Sequence, residues 1–452
     1  MFSLSRGSAA DENEIKDGYP VIPLSEDKET IHYLLSNIHP YINKPKSDDS
    51  RLLIKVWKMA EKYGMDTVVC KLQKHLLGCM DARSHKVFAI AVICDWTNGA
   101  ETAKRRLAPR LDIPYCDEFK DISGTDHYGL LDYHFRAASL GGLQAKHNES
   151  DTSVSAEGNP LVDSTLPSSN ISVCSLSKVD TILRSPDGVE FYVSRPFLPS
   201  AFDELFSNAN GESKDGLTVI HVTDDNEALH HFLCALHQPM NRPPVENPGL
   251  IADICMVARK YRIPIVEAKL REQLATCSSI VEEPLCVYAI ATALGWGDVA
   301  KAAAKNTLNA PLEKAVTCIP ELRRITGADL YCLIDYRIKC SDRACAVLRD
   351  SPLHGMYGPH RLTSCLRRHM RNSMSECSTS SAYGSNDVEK ELDKCPRGTT
   401  YTNIFAQAID VLHSSGEGRY WSVSSVARFF KCCKEVAEAI EQAVDEVVVP
   451  SR

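Results

Sequence analysis

Residues 179–193 read Val179-Asp180-Thr181-Ile182-Leu183-Arg184-Ser185-Pro186-Asp187-Gly188-Val189-Glu190-Phe191-Tyr192-Val193. Apolar residues alternate on both sides of Ser185-Pro186-Asp187-Gly188, where Pro presets φ, Asp can bond its own backbone and Gly accepts positive φ. Two short strands joined by such a turn make a β-hairpin.

Working outward, Phe197, Leu198, Ala201, Phe202, Leu205 and Phe206 recur at helical spacing, which predicts a helix over 197–206. A β-rich run over 217–222 follows the glycine-bounded loop 211–216 and predicts a third strand. Helical periods then run through 227–236, 250–261, 266–274 and 284–294, with Ile251, Ile254, Ala258 and Tyr261 forming one stripe. Strands gathered at one end of a segment and helices at the other predict an α+β, helix-rich unit, a small sheet flanked by helices. A doubly wound nucleotide-binding sheet is disfavoured by the same order.

This pattern occurs twice. At an offset of 198, Ala60, Lys62, Tyr63, Val68, Lys71, Leu72 and Leu76 match Ala258, Lys260, Tyr261, Val266, Lys269, Leu270 and Leu274, and His32, Leu35 and His39 match His230, Leu233 and His237. At 200, Val87, Ala89, Ile90, Ala91 and Trp96 match Val287, Ala289, Ile290, Ala291 and Trp296. At 203, Ile122, Gly124, Asp126, Tyr128, Leu130, Asp132 and Tyr133 match Ile325, Gly327, Asp329, Tyr331, Leu333, Asp335 and Tyr336. A period near 200 residues exceeds any solenoid repeat, so each copy is a domain. The first copy starts at the third-strand equivalent, residues 19–24, with too little chain before it for a hairpin and a helix. Either a preceding segment supplies them, or 19–24 pairs elsewhere by strand addition. The first copy is expected to be the more labile.

The stretch 179–193 resembles the opening of BTB/POZ domains, and Val257-Ala258-Arg259-Lys260-Tyr261, Pro284-Leu285-Cys286-Val287-Tyr288-Ala289-Ile290-Ala291 and Gly327-Ala328-Asp329-Leu330-Tyr331-Cys332-Leu333-Ile334-Asp335-Tyr336 resemble the later blocks of fungal (basidiomycete) BTB/POZ proteins. The resemblance covers 179–340 well, 19–136 partly and 396–450 weakly. It implies BTB/POZ-like units that bind proteins, a second copy of the chain included, with adaptor work in ubiquitin ligase or transcription complexes. It also implies that Asp180 and Arg195 lie near a charged pocket and dimer surface. The family's His-Lys pair there is Ser194-Arg195 in this chain. On the residues alone, Asp180 reads equally as a solvated charge and Arg195 as an ordinary helix-start residue. The apolar helix carrying Phe197 and Phe202 completes the candidate partner-binding set.

The domains read as an incomplete copy over 1–138, a flexible linker over 139–178, a complete copy with helical extension over 179–350, a polar, partly disordered segment over 351–398 and a helical tail over 399–452. In the tail, Phe429, Cys433, Val436, Ile440, Ala443, Val444 and Val447 share one face. A net charge of −8 over 452 residues gives no general attraction to nucleic acid or anionic membrane. The start of the chain carries no long apolar run, so the cytoplasm or nucleus is expected, and 18 scattered cysteines are then free thiols rather than a disulfide framework.

Phosphate-cradling, zinc-hydrolase, nucleophile-elbow and kinase motifs are missing from the sequence. Asp132-Tyr133-His134 becomes Asp335-Tyr336-Arg337 in the second copy, which trades a candidate general base for a permanent cation. His39 with His237 and Trp96 with Trp296 read as packing residues. The expectation is therefore a non-catalytic scaffold with no cofactor and no metal. A competing reading is a nuclear regulator that touches nucleic acid through Arg361, Arg367, Arg368 and Arg371, or zinc through Cys340, Cys345, Cys365 and His369, although ligand spacings of five and four do not suit paired knuckles.

Overall fold

The computed structural model describes residues 15–16, 19–20, 24–39, 49–107, 113–141, 171–172, 179–207, 212–237, 245–350, 385–404, 406 and 423–449. The chain forms two compact units, Met1–Asp121 and Ile122–Arg452. The fold is α+β and rich in helix, as the order of periodicities predicted.

The first unit opens with a minimal antiparallel pair, β1 (Ile15–Lys16) and β2 (Tyr19–Pro20). The strand expected over 19–24 is thus seen at Tyr19–Pro20, paired with its own upstream neighbour. Residues 21–23 lie outside the described residues, and Leu24 is exposed and outside any strand. Among the described residues, five helices follow: α1 (Lys28–Ile38), α2 (Ser50–Lys62), α3 (Asp66–Gly78), α4 (Met80–Ile93) and α5 (Thr97–Leu107). Asp27 starts α1 by accepting from the Thr30 N–H at 2.9 Å, which satisfies one of the orphan donors of the first turn. Of the apolar residues of α2, Leu52, Leu53, Val56, Trp57, Met59 and Ala60 are buried and Ile54 is half-buried.

In the second unit, helix α6 (Gly124–Gly141) precedes a five-stranded sheet of β3 (Ile171–Ser172), β4 (Thr181–Arg184), β5 (Glu190–Val193), β6 (Ser213–Lys214) and β7 (Leu217–His221) in the spatial order β3-β5-β4-β7-β6. The hairpin register sets Thr181 opposite Val193 and Leu183 opposite Phe191, and Gly188 takes φ 82° in the turn, the conformation its missing Cβ permits. β7 runs parallel to β4 and sets Ile220 beside Leu183. Leu183, Phe191, Val193 and Ile220 therefore share one sheet face and enter the core.

The single helix expected over 197–206 is instead a pair of 3₁₀ turns, Arg195–Phe197 and Ser200–Phe202, followed by the short α7 (Asp203–Ser207). Pro199 is the cause. The residue before a proline is pushed out of the helical region, and Leu198 sits at φ −82°, ψ 141°.

Helices α8 (Asn226–His237), α9 (Pro248–Lys260), α10 (Pro264–Thr276), α11 (Ser279–Glu282), α12 (Pro284–Leu294), α13 (Gly297–Thr307), α14 (Leu312–Ala315) and α15 (Gly327–Asp350) complete the helical half. Two later helices, α16 (Ser385–Lys394) and α17 (Val423–Asp445), both pack on α15. Cys433, Val436, Ile440 and Val444 of α17 are buried, four of the residues assigned to its apolar face.

The duplication is visible element by element. α1, α2 and α3 share their bounds with α8, α9 and α10 at an offset of 198, apart from α1 ending one residue sooner than its counterpart. Gly64 and Arg262, 198 residues apart, both take left-handed φ just after a helix, at 63° and 56°. Each closes its helix by the same long backbone bond, Met65 N–H to the Ala60 carbonyl at 2.7 Å and Ile263 N–H to the Ala258 carbonyl at 2.8 Å. Asp95 and Gly295 repeat the device at φ 49° and 74°. Even the break inside α4 at Arg83 (φ −142°, ψ 40°) has its counterpart at Glu283 (φ −128°, ψ 54°), between α11 and α12.

Candidate functional site

The residues singled out in the sequence gather where β4 begins and β5 ends. Asp180 stands before β4, and its carboxylate accepts from the Arg195 backbone N–H and from the Thr181 hydroxyl, both at 2.8 Å. Asp180 thus pins the turn that leaves β5. Arg195 carries its guanidinium 4.1 Å over the Phe206 ring and reaches Asp203 at 3.5 Å. Phe197, at the end of the same turn, is 53% exposed. Arg195 and Phe197 therefore stand on the surface of a turn tied to the sheet by Asp180.

Phe202 is placed differently. It is fully buried and stacks on Tyr261 with ring centroids 3.9 Å apart at 15°. Its helical spacing with Phe197 suggested a shared surface. The 3₁₀ turns send one ring outward and the other into the core, so the Phe202 side chain has no surface to offer a partner.

The sheet face opposite the core has Ile182 and Val219 buried at its centre and an ionic cluster at its end. Glu190 accepts from Lys214 at 2.7 Å, from Arg184 at 2.9 Å and from the Tyr192 hydroxyl at 3.1 Å. Lys214 foremost, then Arg184, holds the Glu190 carboxyl below its usual range against the opposing effect of burial. Arg184 also binds Glu212 at 2.7 Å, and His221 meets the same carboxylate at 2.8 Å. Every acid in this cluster bonds a cation or a hydroxyl, which is the chemistry of a fixed scaffold face.

Two side-chain arrangements were missed in the sequence. Asp224 accepts from the Tyr261 hydroxyl at 2.6 Å and from Lys260 at 2.8 Å. At an offset of 198, Glu26 accepts from Tyr63 at 3.3 Å and from Lys62 at 2.5 Å. An acid at both 26 and 224, beside the paired Lys-Tyr dipeptides already noted, was the available signal. Burial and the Asp224 contact together push the Tyr261 phenol up. The second arrangement is Arg337, buried in α15, whose guanidinium donates to the carbonyls of Thr307 and, at 2.7 Å, of Ala310. It caps the carbonyl end of α13, where a cation is favoured. Burial lowers its pKa to about 10. The residue read as unsuited to base catalysis is thus a structural cation.

The segment 122–141 belongs to the first copy by sequence but to the second compact unit by contact. There it meets its own counterpart. Ser123 and Thr326 form an antiparallel bridge in which Gly124 N–H donates to the Ile325 carbonyl and Gly327 N–H to the Ile122 carbonyl, both at 2.8 Å. The two bonds exchange under the offset of 203, so the paired segments are related by a local two-fold. Each starts its helix by the same device, Ser123 with Asp126 and Thr326 with Asp329. The approach is close enough that a Cβ on Gly124 would come within 2.7 Å of the Leu322 carbonyl oxygen.

Cys340 and Cys345 are buried within the core, where burial raises both thiols, Cys340 to about 11. Cys365, His369 and the arginines at 361, 367, 368 and 371 lie outside the described residues. Among the described residues no helix is long and apolar enough to cross a membrane. No family model, curated protein or solved structure matches the chain.

Proposed function

We propose that the chain is a non-catalytic protein–protein interaction scaffold, made of two BTB/POZ-like copies, that associates with other proteins and with itself through the N-terminal half of the second copy. The observation carrying this reading is the Asp180–Arg195–Phe197 turn, an exposed aromatic ring and a guanidinium held on a sheet by a carboxylate–backbone bond. Fixed aromatic and arginine side chains lose little entropy on docking and are the residue types that dominate protein interfaces. The BTB/POZ-like reading is supported by the order of elements: a hairpin, a short helical turn, a third strand parallel to the first and then paired helices. The β3–β5 pairing supports the interaction role further, because residues from outside the hairpin add to its edge strand in parallel. Its place is the cytoplasm or nucleus.

Affinity purification of the tagged full chain with mass spectrometry tests this. A stoichiometric polypeptide, a second copy included, is expected with the native chain and is lost from Arg195→Glu/Phe197→Asp. Equal recovery with both chains would refute the assignment of the surface.

A further inference from the structure

The duplication allows one copy to be used as a template for the other. Helices α1 and α8 begin at equivalent residues, are followed by equivalent helices and are tied by equivalent acid–Lys–Tyr contacts, so the same positions lie on the same face. On α8 that face carries Leu229, Leu233 and Leu236 at i, i+4 and i+7. Leu229 and Leu233 are fully buried, and Leu236 packs against the core. The sheet reaches this helix through Phe191, whose ring stacks on His230 with centroids 6.2 Å apart at 24°.

The corresponding face of α1 carries Ile31, Leu35 and Ile38, as apolar as its counterpart. There Leu35 is 45% exposed and Ile38 48%, Ile31 is half-buried, and His32, the equivalent of His230, is exposed. Polar residues occupy neighbouring positions that could have carried the solvent-facing side, yet Ser36 and Asn37 are buried instead. An apolar stripe of α1 therefore faces outward where the equivalent residues of α8 join one core cluster with the hairpin.

We propose that the Ile31–Leu35–Ile38 face of α1 is a docking site for an apolar β-strand segment of another protein, one that alternates apolar side chains and presents an aromatic ring to His32. The occupant's chemistry follows from the template: Leu229 and Leu233 of α8 share one core cluster with Leu183, Phe191 and Val193 of the hairpin, and the Phe191 ring lies against His230. This inference rests on the duplication and not on the self-association proposed above.

The probe is a head-to-tail cyclised, fluorescent peptide carrying residues 179–193, titrated against the full chain by anisotropy. Saturable binding is expected, weakened at least tenfold by Leu35→Lys/Ile38→Lys in the chain and by Phe191→Ser in the peptide. No saturable binding, or binding unchanged by the double substitution, overturns the proposal. Two control measurements on the double variant without peptide identify other occupants. A fall in sedimenting mass would make a second copy the occupant, and a drop of several degrees in the melting temperature of the monomer would mean the chain covers the face itself. Either result overturns the assignment to a partner.

Discussion

Reciprocal exchange of the residues at 64 and 262 tests whether the two copies share one backbone design. Both positions hold left-handed φ after a helix, but the first copy has glycine there and the second arginine. A left-handed conformation costs a residue with a Cβ roughly 1–2 kcal/mol, and glycine costs about 0.5–1 kcal/mol through the freedom it loses on folding. The difference favours glycine by about 1 kcal/mol at either position. A Cβ at Gly64 meets nothing within 4 Å, so no clash adds to the backbone cost. Arg262 is exposed, so little packing is lost on its removal. Arg262→Gly should therefore stabilise the second copy by about 1 kcal/mol, and Gly64→Arg should destabilise the first by about the same. Native-state hydrogen exchange reads the two units separately in the full chain, from amides in α2 and α9. Shifts of the same sign in both variants, or none at Gly64→Arg, would refute the shared design.

Two further outcomes follow from buried groups. His127 in α6 is held at a pKa of about 4 by burial. Because the unfolded chain then binds more protons between pH 6.5 and 4, the stability tied to this group is full above about pH 6.5 and is lost as pH falls toward 4, by about 3 kcal/mol in all. Urea unfolding of the second unit across this range should show that slope, and His127→Gln should flatten it. Phe202→Ala removes a fully buried ring stacked on Tyr261 and should cost about 3–5 kcal/mol. A loss below about 1 kcal/mol by denaturant titration would contradict its place in the core.

The hairpin at 181–193 was legible because alternation and the Pro-Asp-Gly turn act locally, and both are satisfied in the structure. The helices from 226 to 294 were legible for the same reason, a period carried by residues that are all buried on one side. The segment 197–206 misled because Phe197 and Phe202 keep helical spacing while Pro199 breaks the helix between them. Spacing reports which residues are apolar, and proline decides the backbone that carries them. The left-handed Arg262 gave no local signal, since its conformation is imposed by the helix closure around it. The pairing of residues 122–124 with 325–327 was also out of reach. The matching blocks were readable, but a contact across about 200 residues depends on tertiary packing that neither block encodes alone. Of the residues named from sequence as a candidate surface, Asp180, Arg195 and Phe197 lie together at one turn, and Phe202 is separated from them by the turn geometry.

The central claim is that the Arg195–Phe197 turn of the second copy is a surface for association. Sedimentation equilibrium of the full chain at micromolar concentration tests it most directly, with Phe197→Asp as the matched variant. Phe197 is 53% exposed, so its replacement should leave the fold intact by circular dichroism. The account predicts a dimer for the native chain and a monomer for the variant, and a strict monomer for both, or a dimer untouched by the substitution, would contradict it.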